Sequence, residues 1–449
     1  MIALSGTEVE YAVVVEGLGG KTVEPKQMGK KVVASHPSAL LNLGVSSYGT
    51  SADGMLSNGA RLYDDMGHPE YSTPECRDLD VLVACEKGGE RLMEACCDAA
   101  SASMPDGEEI ALYKNNTDHA GHTWGSHENY LVSPQLFDSL IIRREAELHT
   151  ALIPFLVTRQ LFSGAGRVGG EGGWKGYQLS QRTDFICAPI GLETTGRRPI
   201  VNTRDEPLAD GARFRRLHLI MGDANMSEFS IYLKIGTTRL VLRLLEESGW
   251  NENLALRDPV RAMREVSRDF SGQLELENGR RSSPLDVQYS CLDAVNAYLT
   301  KFGASGEEES VLAAWSEVLD GLRSDWWSLA DRLDWAIKLA FLESIRADES
   351  LEWDAPLLKE LDIRYHDVRQ HKGIFNQLVS EGTVWRLESS DCLIDHYSVH
   401  PPANTRASVR AEHLRDNAGH LAQVDWDHLI SDAGRLDWPD PTVGCKPSD

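Results

Sequence analysis

The chain has 449 residues, 41% hydrophobic and 25% charged, enough for one large domain with a buried core plus an appendage. Its formal net charge of −24 excludes the broad basic face that nucleic acids and anionic membranes require, although Arg143-Arg144, Arg197-Arg198, Arg215-Arg216 and Arg280-Arg281 remain local basic pairs. The longest clean apolar run, Ala151 to Val157, is far too short to span a bilayer. The opening MIALSGTEVEY lacks a basic n-region and predicts a cytoplasmic protein.

In chain order, the first ~240 residues read as short strands broken by Gly, Asn, Asp and Pro. The segments are IALSGTEVEYAVVV, ARLYDD, EIALYK, ENYLVS, DFICAPI, IVNTRDE and LHLIMGD. Between the first two, Glu16 to Asn58 is rich in Gly, Ser and Lys and predicts a helix with loose flanks. From about Ser230 the period becomes helical. Leu312, Trp315, Leu319 and Leu322 share one face, and DWWSLADRLDWAIKLAFLESI continues the pattern. Turn-forming HPPANTR and WPDPT mark a mixed tail. These textures predict an α+β domain over 1–380 and a small C-terminal domain over 381–449. The cysteines Cys76, Cys85, Cys96, Cys97, Cys187, Cys291, Cys392 and Cys445 form no CxxC pair and are expected to be reduced, mostly buried thiols.

Strand alternation places Glu8 and Glu10 on one face, opposite Val9 and Tyr11. Likewise Arg61, Tyr63 and Asp65 share a face, as do Arg216 and His218. A solvated strand face usually carries Lys, Thr and Ser. Carboxylates, an imidazole, a phenol and arginines, gathered on one sheet, would instead make an oxygen-rich cup for one or two Mg²⁺ ions. NNTD, GSHENY, QLSQR and NTRDEP add polar density beside the strands. Rival templates are missing: there is no GxxxxGK[ST] loop, GxSxG elbow or HExxH. The glycine-rich SGAGRVGG does not fit a dinucleotide fingerprint.

GTEVEY, NGARLY, HPEYSTPEC, YKNNTD, GSHENYLV, LSQR, VNTRDEP, RRLH and GDAN together resemble the family of Pup ligases and Pup deamidase/depupylases, over nearly the whole chain. The resemblance implies a glutamine synthetase and glutamate–cysteine ligase type of fold. In it a curved antiparallel sheet forms a cradle packed with helices, followed by a small C-terminal domain. It implies ATP and Mg²⁺ as cofactors, with a Pup-like modifier and lysine-bearing proteins as partners. Carried over by motif, Asp65 is the catalytic carboxylate. Glu8, Tyr63 and Glu70 are magnesium ligands, with Glu10 and His218 in the same shell. Arg61 and Thr73 contact nucleotide, Trp426 lies near the base, and Arg204 is read as a phosphate clamp.

The branch markers are mixed. GTEVEY, the Asp65 to His68 spacing, GLETT and GDAN look deamidase-like. REVSRDFSG, SPLDVQ, YHDVRQHKGIF, VDWDHL and TVGCK look ligase-like, and the long insertion that the deamidase carries before NGARLY is absent or short. Ligation is the leading expectation. Deamidation or depupylation is the first alternative, followed by small-molecule carboxylate–amine ligation and a non-catalytic binding paralogue.

Overall fold

The computed structural model describes residues 4–17, 25–36, 53–417 and 420–444. Strands β1 (Ser5–Glu10) and β2 (Ala12–Glu16) precede helix α1 (Pro25–Ala34). This helix meets the one expected between Glu16 and Asn58. The flanks at 18–24 and 37–52 lie outside the described residues. There follow β3 (Asp53–Met55), β4 (Arg61–Asp65), β5 (His68–Ser72), α2 (Leu79–Ser101), β6 (Glu109–Tyr113) and β7 (Ser126–Val132). Next come β8 (Ile186–Gly191), β9 (Arg198–Asn202) and β10 (Arg215–Leu219). The helical half contains α3 (Glu228–Glu247), α4 (Pro284–Phe302), α5 (Gly306–Ser324) and α6 (Asp334–Asp348). The tail holds α7 (Ser390–Tyr397), α8 (Arg406–Asp416) and a meander of β11 (Leu421–Val424), β12 (His428–Ser431) and β13 (Gly434–Asp437).

Eight strands form the main sheet in the order β8-β9-β10-β7-β1-β5-β4-β3. It is antiparallel except for the parallel edge pair β8·β9. Burial alternates along β1 and β7 with period two, so each strand has one covered and one open side. Ser5, Thr7 and Val9 of β1, and Glu128, Tyr130 and Val132 of β7, face the helices. Gly6, Glu8 and Glu10, with His127 and Asn129, face the open cradle.

The covered side rests on α3, which is buried along nearly its whole length. A helix enclosed on all sides belongs to a core. The predicted face of α5 packs as expected: Trp315, Leu319 and Leu322 are buried and Leu312 is partly so. Charge is buried here too, and some of it is paired. Glu128 meets Arg159 at 2.5 Å with both side chains fully enclosed. Lys114 reaches Glu86 at 2.8 Å and Glu90 at 2.7 Å. Removing one member of such a pair strands its partner in low dielectric. Cys76, Cys85, Cys96, Cys97 and Cys291 are buried free thiols, whereas Cys187 and Cys392 are exposed. Cys445 lies outside the described residues. No described helix is long and apolar enough to cross a membrane.

The tail returns to the sheet through a clamp at Glu75, just past β5. Arg406 Nε and Arg410 Nη2, both on α8, donate to its two carboxylate oxygens at 2.6 and 2.7 Å. Arg410 also donates to the carbonyls of Gly59 and Trp426, and its guanidinium sits 4.7 Å over the Trp426 ring. Burial opposes ionisation of Glu75, but the two arginines prevail and hold its carboxyl at about 2, below the ordinary 4.5.

A folded-state value below the unfolded one gives stability that is fully present above about 4.5 and lost as pH falls toward about 2. Glu75→Gln is therefore expected to cost ~3 kcal/mol at pH 7. In urea melts from pH 7 to pH 3 the gap between wild type and variant should shrink only below about pH 4.5. A gap that is constant with pH contradicts the clamp.

Candidate active site

Pairing across the sheet assembles the cradle floor. Glu8 stands opposite His127 on β7 and Ser72 on β5, and Glu10 stands opposite Glu70. On the outer side Tyr63 pairs with Glu70, Arg61 with Ser72 and Asp65 with His68. His218 pairs with Asn129. Every one of these contacts depends on register, because a slip of one residue would turn each group toward the helices.

The floor resolves into two clusters. In the first, ligand atoms of Glu8, His127 and His218 lie within 4.8 Å of one another. His218 Nδ1 is 2.8 Å from Asn129 Oδ1, an acceptor, so the imidazole donates there and its Nε2 lone pair is left free. Asn129 Nδ2 donates to Glu8 Oε1 at 2.9 Å, and His127 Nδ1 lies 3.0 Å from Glu8 Oε2. Burial pushes the His218 pKa well below its usual value, which keeps the ring neutral. Burial alone would raise the Glu8 carboxyl. The His127 hydrogen bond, with the charge of Arg216, overcomes this and holds it well below the carboxylate range.

In the second cluster, carboxylate oxygens of Glu10, Asp65 and Glu70 lie within 4.8 Å of one another. Burial, followed by the charges of Glu10 and Glu8, pushes the Glu70 carboxyl well above its usual value. Burial and Glu10 likewise raise Asp65. Three convergent carboxyl groups, beside a cluster with free imidazole nitrogens, are a donor set suited to hard divalent cations. Tyr63 supports Glu70: its hydroxyl bonds to that carboxylate, and burial holds the phenol protonated. Gly125 keeps the floor open, because a Cβ there would fall 2.4 Å from Glu10 Oε1 and 2.5 Å from His127 Nε2.

A cleft opens at the Gly6 end of β1. Gly6, Glu8, Thr73 and Arg216 form part of one wall, and Leu208, Trp426 and Pro441 part of another. An apolar wall opposite a cation and next to the Glu8 cluster suits a flat base with a polyphosphate tail. Thr73 Oγ1 accepts the Thr7 backbone N–H at 2.9 Å, which fixes its rotamer at the cleft edge.

The residues expected from the sequence are thus largely brought together, with four differences. His127 joins the Glu8 cluster, although the sequence offered it only within the polar GSHENY stretch. Asp65, expected as the catalytic carboxylate beside the metal residues, sits within the Glu10 and Glu70 cluster itself. Asp64 points to the opposite face and is buried, as alternation requires. Arg204 does not line the cleft: its side chain is 41% exposed and its guanidinium lies 3.9 Å from Glu206. Of the arginines that line the cleft, Arg216 is the one at the Glu8 cluster: its Nη1 donates to Asn129 Oδ1 at 3.0 Å and stands 3.6 Å from Glu8. Arg61 is also outside the cleft wall. Asp53 engages it through both oxygens, and it lies 4.8 Å over the Tyr63 ring.

Comparison with known proteins places the whole chain among relatives. The chain is 45% identical over 405 residues to the Pup deamidase/depupylase of Mycolicibacterium smegmatis, covering 88% of this chain and 80% of that protein. It is 39% identical over 433 residues to the Pup--protein ligase of Acidimicrobium ferrooxidans, covering 94% and 91%. Two solved structures superpose on it. The ligase PafA in complex with Pup gives a TM-score of 0.85 at 31% identity, covering 99% of this chain and 89% of that one. PafA in complex with ADP gives 0.78 at 30% identity, covering 96% of each. The family model described as Pup-ligase protein matches residues 3–430, and the chain belongs to the Pup ligase family.

Proposed function

We propose that the protein activates the side-chain carboxylate of a C-terminal glutamate as an acyl phosphate, using ATP, and joins it to a lysine amine as an isopeptide. The glutamate belongs to Pup or a Pup-like modifier. The observation that carries this reading is the order of groups along β1. Gly6 borders the nucleotide-sized cleft, Glu8 lies in the first cluster, and Glu10 stands about 6.6 Å further along in the second. ATP bound with its base against Trp426 and Leu208 would direct its phosphates along that row. The solved complex of PafA with ADP supports nucleotide binding, not the position of the base.

A carboxylate is a poor electrophile, and phosphorylation gives it a leaving group. Mg²⁺ held by Glu8, Glu10, Glu70 and the imidazole nitrogens would supply neutralisation of phosphate charge. Arg216 would bind phosphate oxygen. Tyr63 holds Glu70 in place, and Asn129 and His127 hold Glu8. Asp65, raised by its surroundings and facing the open cradle, would take the proton of the attacking lysine amine. The α8 clamp and the meander beyond it would close the base end of the cleft, which is the role we assign to residues 381–449 as a small domain.

The same residues could direct water at an amide or isopeptide. The 45% identity to a depupylase favours that as the second reading. Ligation leads because the chain spans ligases almost fully but only 80% of that depupylase, in keeping with the short stretch before NGARLY. With ATP and Mg²⁺, conjugate yield from Glu-ended Pup and a lysine protein should exceed ammonia release from Gln-ended Pup. Rapid ammonia release and conjugate cleavage without any ligation would establish the second reading instead.

Two further outcomes test the site. Mg²⁺ should raise the melting temperature and strengthen the rise caused by ATP. Glu70→Gln should leave the metal-free protein as stable or more so, since it removes a repelled carboxylate, and should abolish the Mg²⁺-induced rise. A destabilised Glu70→Gln protein that still responds to Mg²⁺ contradicts the assignment. Asp65→Asn should lower product formation by ~10²–10⁴-fold while folding is kept. Asp64→Asn should leave turnover near wild type, and the reverse pattern would place the reacting face on the other side of β4.

A further inference from the structure

Two arginines that none of these roles uses stand at the end of the floor away from the nucleotide cleft. Arg182 lies between the LSQ segment and the 3-10 turn Thr183–Phe185, and its side chain is 1% exposed. Its backbone N–H is fixed by Ser180 Oγ at 3.2 Å and Asp223 Oδ1 at 3.1 Å. The guanidinium makes no ion pair among the described residues. Nη1 donates to the carbonyl of Trp124, and Nε is buried without a partner. Arg198 opens β9 and is half-buried, with no carboxylate or hydrogen-bond acceptor engaging its side chain among the described residues.

The two cations share one place. Arg198 stands opposite Ile186, four residues beyond Arg182. Burial and the nearby charge of Arg198 pull the Arg182 guanidinium down to about 10, and Glu10 acts on both. The link to Glu10 is structural as well: Arg182 bonds to the carbonyl of Trp124, and Glu10 N donates to the carbonyl of the next residue, Gly125, at 3.1 Å. A guanidinium enclosed without an anion is costly, and a second one beside it adds repulsion. Neither arginine lines the nucleotide cleft, which opens at the Gly6 end of β1.

We propose that Arg182 and Arg198 form an anion subsite for the α-carboxylate of the acyl substrate's terminal residue, holding its side-chain carboxyl at the Glu10, Asp65 and Glu70 cluster. This rests on the proposed activation of a C-terminal glutamate and adds what selects it. An internal glutamate carries a peptide bond in place of the α-carboxylate. It leaves both guanidiniums unpaired and is rejected. The phosphates of ATP enter from the opposite end of the row, so the subsite takes the carboxylate and not the nucleotide.

The test compares Glu-ended Pup carrying a free α-carboxylate with the same protein ending in an α-carboxamide, each titrated calorimetrically into the full-length enzyme. Arg198 is the residue to change, because Arg182 is buried and its loss could unfold the protein. The free acid should bind the wild type ~10–100-fold more tightly than the amide. Arg198→Ala should lose most of that difference while leaving the affinities for the amide and for ATP unchanged, and Arg198→Lys should regain part of it. Equal binding of acid and amide by the wild type overturns the subsite. So does an Arg198→Ala variant that weakens both ligands alike, or one that weakens ATP or inorganic phosphate instead. A wild type that discriminates acid from amide yet forms no conjugate counts against the ligase reading and leaves the subsite standing.

Discussion

The structure is organised around the mutual repulsion of Glu10, Asp65 and Glu70. Their oxygens lie within 4.8 Å of one another on adjacent strands. Left alone, such a cluster favours a shifted register or protonation. The fold holds it with a rigid frame: a mainly antiparallel sheet whose other face is sealed against α3 and beneath which Glu128 pairs with Arg159 and Lys114 with Glu86 and Glu90. The three carboxylates have no such partners and face the open side, from which a cation or cationic group can enter.

A gradient of chemistry follows along one strand. At the Gly6 end the wall is apolar with Arg216 beside it. In the middle are carboxylates and imidazoles, and beyond Glu10 are two arginines that make no ion pair among the described residues. An enzyme that must position a nucleotide, a phosphoryl group and a carboxylate in line needs this sequence of environments, and the rise of a strand sets the spacing between them. The C-terminal segment contributes at one end only. Glu75 draws α8 onto the sheet, and Arg410 ties Trp426 to the same anchor, so the wall of the cleft depends on a single buried carboxylate.

Much of this was legible in the sequence because alternation is local. Glu8 with Glu10, Tyr63 with Asp65 and Arg216 with His218 each share a face for reasons contained in three residues, and the helical faces after Ser230 are equally local. His127 was not legible as a site residue. It meets Glu8 only through the pairing of β1 with β7, strands 119 residues apart at that contact. The separation of Arg204 from the cleft is set by the loop after β9, and the capture of Arg61 by Asp53 depends on the β3·β4 pairing. The parallel edge pair β8·β9 likewise departs from the expected antiparallel sheet through a connection that no local pattern announces. The resemblance to the Pup ligase family named most of the groups that the cradle floor brings together. The physical arrangement shows that they divide into two clusters, with Asp65 inside one of them.

The account depends on transfer of the γ-phosphoryl group to a carboxylate oxygen, and isotope tracing tests that directly. Glu-ended Pup would be labelled with ¹⁸O in its terminal side-chain carboxylate and incubated with ATP, Mg²⁺, a lysine acceptor and the protein. The released inorganic phosphate would then be analysed by mass spectrometry. Acyl-phosphate formation predicts one ¹⁸O atom in each phosphate released with a conjugate. Conjugate formation accompanied by unlabelled phosphate would contradict the mechanism.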